Sequence, residues 1–251
     1  MIEPVNHSIR RFFIIQLMWG FRVRKATYHT ILSSRFRFYN RLNEEEQEKF
    51  LLRTFLFEQS KRFHYIGIEQ LPEMPVLISA VAVQLTFGLD KFRLGYFRNI
   101  FVMKEEYNYS FFSTPFDGHV DHTGIYLSWI NFMKGLMGET RNSNLGLHEM
   151  GHALTYVNFI TRTEEDEHFK QEFEQFTRIA RPVFESLDSM KQSLLADYAR
   201  TNYQEFWASC VEVFFENPIR LRREFPELYA SMKKLLRQDP LVIVNISRQA
   251  A

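Results

Sequence analysis

The sequence predicts an α+β fold, predominantly helical, with a small central sheet. Three observations carry this reading. Most of the chain falls into segments with apolar residues at helical spacing. Two short runs near the middle are instead rich in aromatic and β-branched residues, as strands are. Aromatics make up 16% of the 251 residues, with 26 Phe, enough bulk to fill one large core. A chain of this length lies near the upper size for a single core. One domain is therefore expected over residues 41–251, with a basic helical segment, residues 1–40, packed on or beside it. Hydrophobic residues at 45% and charged residues at 24% exclude a disordered or low-complexity chain.

The first apolar run, Phe12 to Gly20, follows Arg10 and Arg11. It is shorter than the roughly 20 residues a membrane helix needs. No small-residue cleavage site follows it, only Phe21, Arg22, Val23 and Arg24, so it is read as retained. Residues 1–40 hold seven basic residues against Glu3 alone. Two uses fit such a segment. It docks on the core with its arginines in water, or residues 9–25 lie on an anionic membrane surface. Asn43 before Glu44, Glu45 and Glu46 marks a helix start, expected to run to about Phe63. Met74 to Phe87 is a second helix, closed by Gly88. Tyr96 to Met103 and Thr123 to Trp129 read as strands, separated by an irregular stretch with Pro115 and Gly118. The strand 123–129 is either central or an edge able to pair an extended peptide. Helices follow from Leu145 to about Ile160, Glu164 to about Leu187, Tyr203 to Glu216 and Glu224 to Arg237, with Pro218 and Pro240 as stops.

The net charge of +1 argues against a surface that coats nucleic acid, so no direct nucleic-acid partner is expected. A single Cys excludes an internal disulfide and any zinc site built from several thiolates. Any metal must therefore be held by His and carboxylates. Among the 8 His, His148-Glu149-Met150-Gly151-His152 stands out. His148 and His152 are four apart on a predicted helix, so both imidazoles reach one zinc ion from the same face. Glu149 sits beside them, placed to act on water without being a ligand. Leu145, Leu147, Leu154 and Val157 frame a buried helix, in which unsatisfied imidazoles would be costly. A catalytic zinc needs a third protein ligand. His168, in a charged stretch, and His119 and His122, flanking a strand, are weak candidates. Glu205 is a better one, although Asn202-x-x-Glu205 reads equally well as a capping box. Cys210 lies off the ligand face and reads as core.

Residues 198–207 together with His148 to His152 resemble the catalytic core of the anthrax lethal factor protease. Residues from about 40 to 240 resemble the bacterial Mlc titration factor A family of zinc peptidases. Val76 to Asp90, Ile125 to Trp129, Asn144 to Leu147 and Glu205 to Pro218 carry the match. The resemblance implies a gluzincin-like metallopeptidase with Zn2+ as cofactor. It assigns Glu205 as the third ligand beside His148 and His152, and Tyr198 as a residue that assists catalysis. Two positions depart from the pattern. Thr155 stands where the family usually has Asp, which removes a usual support of the metal-site helix. Ser209 stands where lethal factor has its second Glu. The titration-factor family instead has that Glu seven residues after the ligand, at Glu212, on the same helix face as Glu205. Glu212 either supports a ligand His or faces solvent.

The expected chemistry is peptide hydrolysis by water. Glu149 takes a proton and passes it to the leaving amine, and Tyr198 donates a hydrogen bond to the oxyanion. Aminopeptidase activity is the narrower implication of the family. The alternative is a regulatory binding protein, because the family's name-giving member captures a sugar-responsive transcriptional repressor. A peptide or protein substrate is the expected partner and a transcriptional regulator the alternative one. The expected location is the cytoplasm, or the inner face of the membrane.

Overall fold

The most apolar helix of the chain becomes its centre. In a computed structural model, α3 (Glu73–Thr86) has every residue from Met74 to Thr86 buried. A helix apolar on all sides must be covered on all sides. α1 (His7–Arg35), α2 (Glu44–Gln59) and α5 (Leu145–Thr155) pack around it. The structure describes residues 7–109, 114–140, 143–161, 165–187, 194, 195 and 197–242; the side chains of residues 7–14, 197 and 198 lie outside that description.

α2 begins at the capping box foreseen at Asn43. Its side chain accepts from the Glu46 N–H at 2.9 Å, and its own N–H donates to the Glu46 carboxylate at 3.1 Å. α1 lies across α2 and α3 through Phe21, Tyr28 and Leu32, all buried, and Arg24 pairs with Glu58 at 3.2 Å.

Four strands form one mixed sheet. β1 (Arg62–Ile66), β2 (Asn99–Met103), β3 (Gly118–Asp121) and β4 (Gly124–Ser128) lie in the order β1-β2-β4-β3. β1, β2 and β4 run parallel, and β3 pairs antiparallel with β4. Parallel neighbours need a crossover, and α3 supplies the one between β1 and β2. Ile100, Val102, Ile125 and Leu127 are buried. On the alternate positions His64, Phe101, Tyr126 and His119 fall in register across all four strands. Their rings stack at 4.8, 4.4 and 4.2 Å between centroids.

The structure corrects three sequence expectations and decides a fourth point that the sequence left open. α2 ends at Gln59 rather than near Phe63, and β1 follows. Phe63 and Tyr65 are partly covered while Arg62, His64 and Ile66 are exposed, the period of two that defines a strand. Gly118, expected in an irregular stretch, opens β3. β4 is central, so the strand expected at 123–129 offers no edge; the edges are β1 and β3. Pro218 opens a helix, α8 (Pro218–Glu224), because its missing N–H costs nothing in a first turn. α9 (Pro226–Leu236) follows in the same way. The expected helical span 145–160 is α5 continued by a π-helical turn, Tyr156–Ile160. α4 (Trp129–Met137), α6 (Glu167–Ser186) and α7 (Tyr203–Glu216) complete the domain, with α7 against α5 and α6 against α9. No described helix is long and apolar enough to cross a membrane.

One buried cation holds the approach to the sheet. The Lys61 ammonium donates to the carbonyls of Arg93, Leu94 and Phe97 at 2.5, 2.9 and 2.7 Å. It sits 4.5 Å from the centroid of the Phe57 ring. These carbonyls belong to the loop before β2, where Leu94 has a φ of 49°. Lys61→Met keeps the aliphatic stem and removes the ammonium donor shared by the Arg93, Leu94 and Phe97 carbonyls. It should lower stability by about 2–4 kcal/mol, read as a shift of the urea midpoint with little change in slope.

Candidate metal centre

Two helices build the site. α5 carries His148, Glu149 and His152, and α7 carries Glu205 and Glu212. α5 comes close to α4 and α3 because residue 146 is Gly. A Cβ there would stand 2.6 Å from a Phe132 ring carbon and 3.0 Å from a Val81 methyl.

Asn144 and Glu212 join the helices. The Asn144 side-chain oxygen caps α5 by accepting from the Leu147 N–H at 3.1 Å. Its backbone N–H donates to one oxygen of Glu212 at 2.5 Å, and its amide donates to Glu216 at 2.8 Å. The other Glu212 oxygen meets His148 Nδ1 at 2.7 Å. That carboxylate calls for a proton on Nδ1, which turns Nε2 of His148 toward Glu205 and His152, where a metal would sit. Further along, the Trp207 indole N–H donates to the Gly151 carbonyl at 2.9 Å.

His148, His152 and Glu205 converge. The His148 and His152 Nε2 atoms are 3.1 Å apart, and a Glu205 oxygen lies 3.0 Å from the first and 3.4 Å from the second. Four-coordinate zinc with bonds of about 2.0–2.1 Å puts neighbouring ligand atoms about 3.3 Å apart. The three separations match one face of such a tetrahedron, so the donor set fits the ion. Asn202 still caps α7, accepting from Gln204 N–H at 2.9 Å and Glu205 N–H at 3.0 Å. The Glu205 side chain, however, turns to the histidines instead of closing a capping box.

Charge in the site is arranged for a cation. Burial raises the Glu205 pKa, but hydrogen bonds from His148 and His152 outweigh it and hold it at about 2. Burial lowers the His148 pKa, but its bonds to Glu205 and Glu212 raise it to about 10. Burial pushes the Glu149 carboxyl up to about 7, against the opposing pull of His148 and His152. Glu149 is 3% exposed, and its Oε2 has no hydrogen-bond partner among the described residues. It lies under β3, where a Cβ on residue 118 would stand 2.7 Å from its Oε1; only Gly fits. A cavity of about 350 Å³ opens over the cluster, lined by Phe159, Ile160 and Phe173 among others and by no described Lys or Arg.

Of the other sequence candidates, His168 bonds the Lys234 carbonyl at 2.9 Å, away from the cluster, while His119 lines the cavity wall and pairs with the Tyr107 hydroxyl at 2.8 Å without joining the converging ligand atoms. Thr155 donates to the His152 carbonyl at 2.9 Å, and no carboxylate bonds His152 Nδ1 among the described residues. Support for the metal-site helix comes instead from Glu212 and Trp207. Cys210 is buried, and burial raises its pKa. Tyr198 belongs to a short 3-10 helix, Asp197–Arg200, that leads into α7; its side chain lies outside the described ones. The clamp at Asn144 had a local signal, a cap residue ahead of an apolar helix. The role of Gly118 had none, because it depends on a contact between distant segments.

A mixed sheet over a helix bearing two histidines, with a second helix bringing a glutamate to them, is an arrangement suited to a metallopeptidase. A family model described as glucose-regulated metallo-peptidase M90 matches residues 22–237, and the chain belongs to that family. The resemblance to the Mlc titration factor A family is thereby borne out. The chain is also similar to an uncharacterised protein of Synechocystis sp., 23% identical over 91% of this chain and 94% of that one.

Glu212→Gln should leave the fold intact. A glutamine has only one acceptor oxygen, and both the Asn144 N–H and the His148 Nδ1–H need one. Metal affinity should fall about 10–100-fold, measured by competition with a chelating dye.

Proposed function

We propose that the protein is a zinc-dependent peptidase that hydrolyses peptide bonds with water. The observation that carries this is the tetrahedral spacing of His148, His152 and Glu205 beside a buried carboxylate, Glu149, with one oxygen unpartnered. Zinc held by these three residues would act as a Lewis acid, lowering the pKa of water toward about 7 and polarising the scissile carbonyl.

The chain supplies the rest. Glu149 accepts the proton of the attacking water and delivers it to the leaving amine. Its raised pKa suits that exchange, since a base that must also act as an acid works best near the operating pH. Glu212 keeps the His148 ring in place. Tyr198, by the family resemblance, donates a hydrogen bond to the oxyanion. β3 is the sheet edge beside the cavity, so an extended peptide can add to it as a further strand. Phe159, Ile160 and Phe173 then favour a bulky apolar side chain next to the scissile bond. Aminopeptidase activity is the narrower form that the family supports.

A peptide-library digest read by mass spectrometry tests the proposal, with Glu149→Gln as control. The variant should retain metal and lose at least about a hundredfold in turnover. A variant that cleaves as well as the wild type rules the mechanism out. A metal-loaded wild type that cleaves nothing but captures a regulator tightly would make the protein a binding protein instead. Tyr198→Phe should lower kcat about 100-fold with KM and metal content unchanged; loss of metal would assign the tyrosine elsewhere.

A further inference from the structure

α1 has two apolar faces, and only one of them is used. Leu17, Phe21, Tyr28 and Leu32 face the core. On the far side Ile15 is 59% exposed, Met18 37%, Trp19 69% and Val23 60%. Ile15, Trp19 and Val23 are spaced four apart, so they form one ridge along about 12 Å of helix. Soluble proteins seldom leave a tryptophan in the middle of such a ridge without a use for it. The family match begins at residue 22, so most of the ridge lies ahead of the peptidase domain that the match covers.

The charge along α1 itself is uniform. α1 contains Arg10, Arg11, Arg22, Arg24, Lys25 and Arg35 and no acidic residue. Arg24, Lys25 and Arg35 are paired with Glu58, Glu48 and Glu73 of the domain. Arg22 is exposed beside the ridge with no described carboxylate partner. Arg10 and Arg11 precede Ile15 by about one turn.

We propose that this outer face of α1 attaches the protein to an anionic lipid membrane. Apolar side chains around a tryptophan, flanked by arginines, match the layering of a bilayer surface, with lipid tails beneath anionic headgroups. The same charge argues against a second copy of the chain, because pairing two of these helices would bring arginine against arginine. It also argues against nucleic acid, whose phosphate surface has no use for Ile15 and Val23. The helix lies on the surface and does not span it.

The full-length chain tests this with vesicles of phosphatidylcholine containing about 30% phosphatidylglycerol, against vesicles of phosphatidylcholine alone. The protein should sediment with the anionic vesicles only. Its tryptophan emission should shift to the blue, a change that reports Trp19, since Trp129 and Trp207 are 8% and 1% exposed and already buried. Trp19→Ser should weaken vesicle binding about tenfold or more. Arg22→Glu should weaken it by about the same factor, and the residual binding should fall with added salt. Peptide cleavage and melting temperature should be unchanged in both variants. The proposal is overturned if the protein ignores anionic vesicles, binds neutral ones equally, or binds undiminished after Trp19→Ser. It is likewise overturned if the ridge instead supports a Trp19-dependent dimer, or if duplex DNA is retained while vesicles are not.

Discussion

The Glu212 carboxylate accepts from the backbone of Asn144 with one oxygen and meets His148 with the other. A buried carboxylate must find donors or pay a large desolvation penalty. Here both donors come from α5 and its cap, so satisfying one residue of α7 fixes the distance and rotation between the two helices. Glu205, two turns earlier on α7, is thereby brought to the histidines. Trp207 repeats the tie at Gly151 from the same helix. The candidate metal site thus depends on a joint between helices more than on the motif itself.

The same economy explains the strand above the cluster. Glu149 needs a dry, low-dielectric setting for its carboxyl to titrate high, and β3 roofs it there. Residue 118 must be glycine, because any side chain would enter the space of the carboxylate. Sheet edge, Glu149 and the His148, His152 and Glu205 cluster consequently share one cavity, the arrangement that the proposed cleavage of an extended peptide calls for.

Local signals were legible where chemistry is local. The cap at Asn43, the apolar helix at α3, the span of α7 and the His148/His152 pair all follow from residue type and spacing within one element. The misread elements share a different cause. Phe63 and Tyr65 continue an apolar run, and only pairing with β2 shows that their period is two. β3, four residues opening at Gly118, looks like part of an irregular stretch, and only its pairing with β4 shows it to be a strand at the sheet edge. His119 looked like a remote ligand candidate, but strand alternation carries it into the aromatic stack on the sheet. On α1, spacing showed an amphipathic helix; that its second face is also apolar became clear only once the first was seen to be occupied.

By itself the sequence determined the chemistry available: one cysteine, so that any metal would be held by nitrogen and carboxylate oxygen, and two histidines one helical turn apart. Those are consequences of covalent order and helical pitch. The tertiary structure decided which carboxylate lies beside the two histidines and what each of the others touches. Asn202 and Glu205 form a capping box on paper, since both readings use the same four residues. In the folded chain Asn202 keeps the cap while Glu205 is drawn 3.0 Å from His148, because the packing of α7 against α5 offers it stronger partners than its own backbone does.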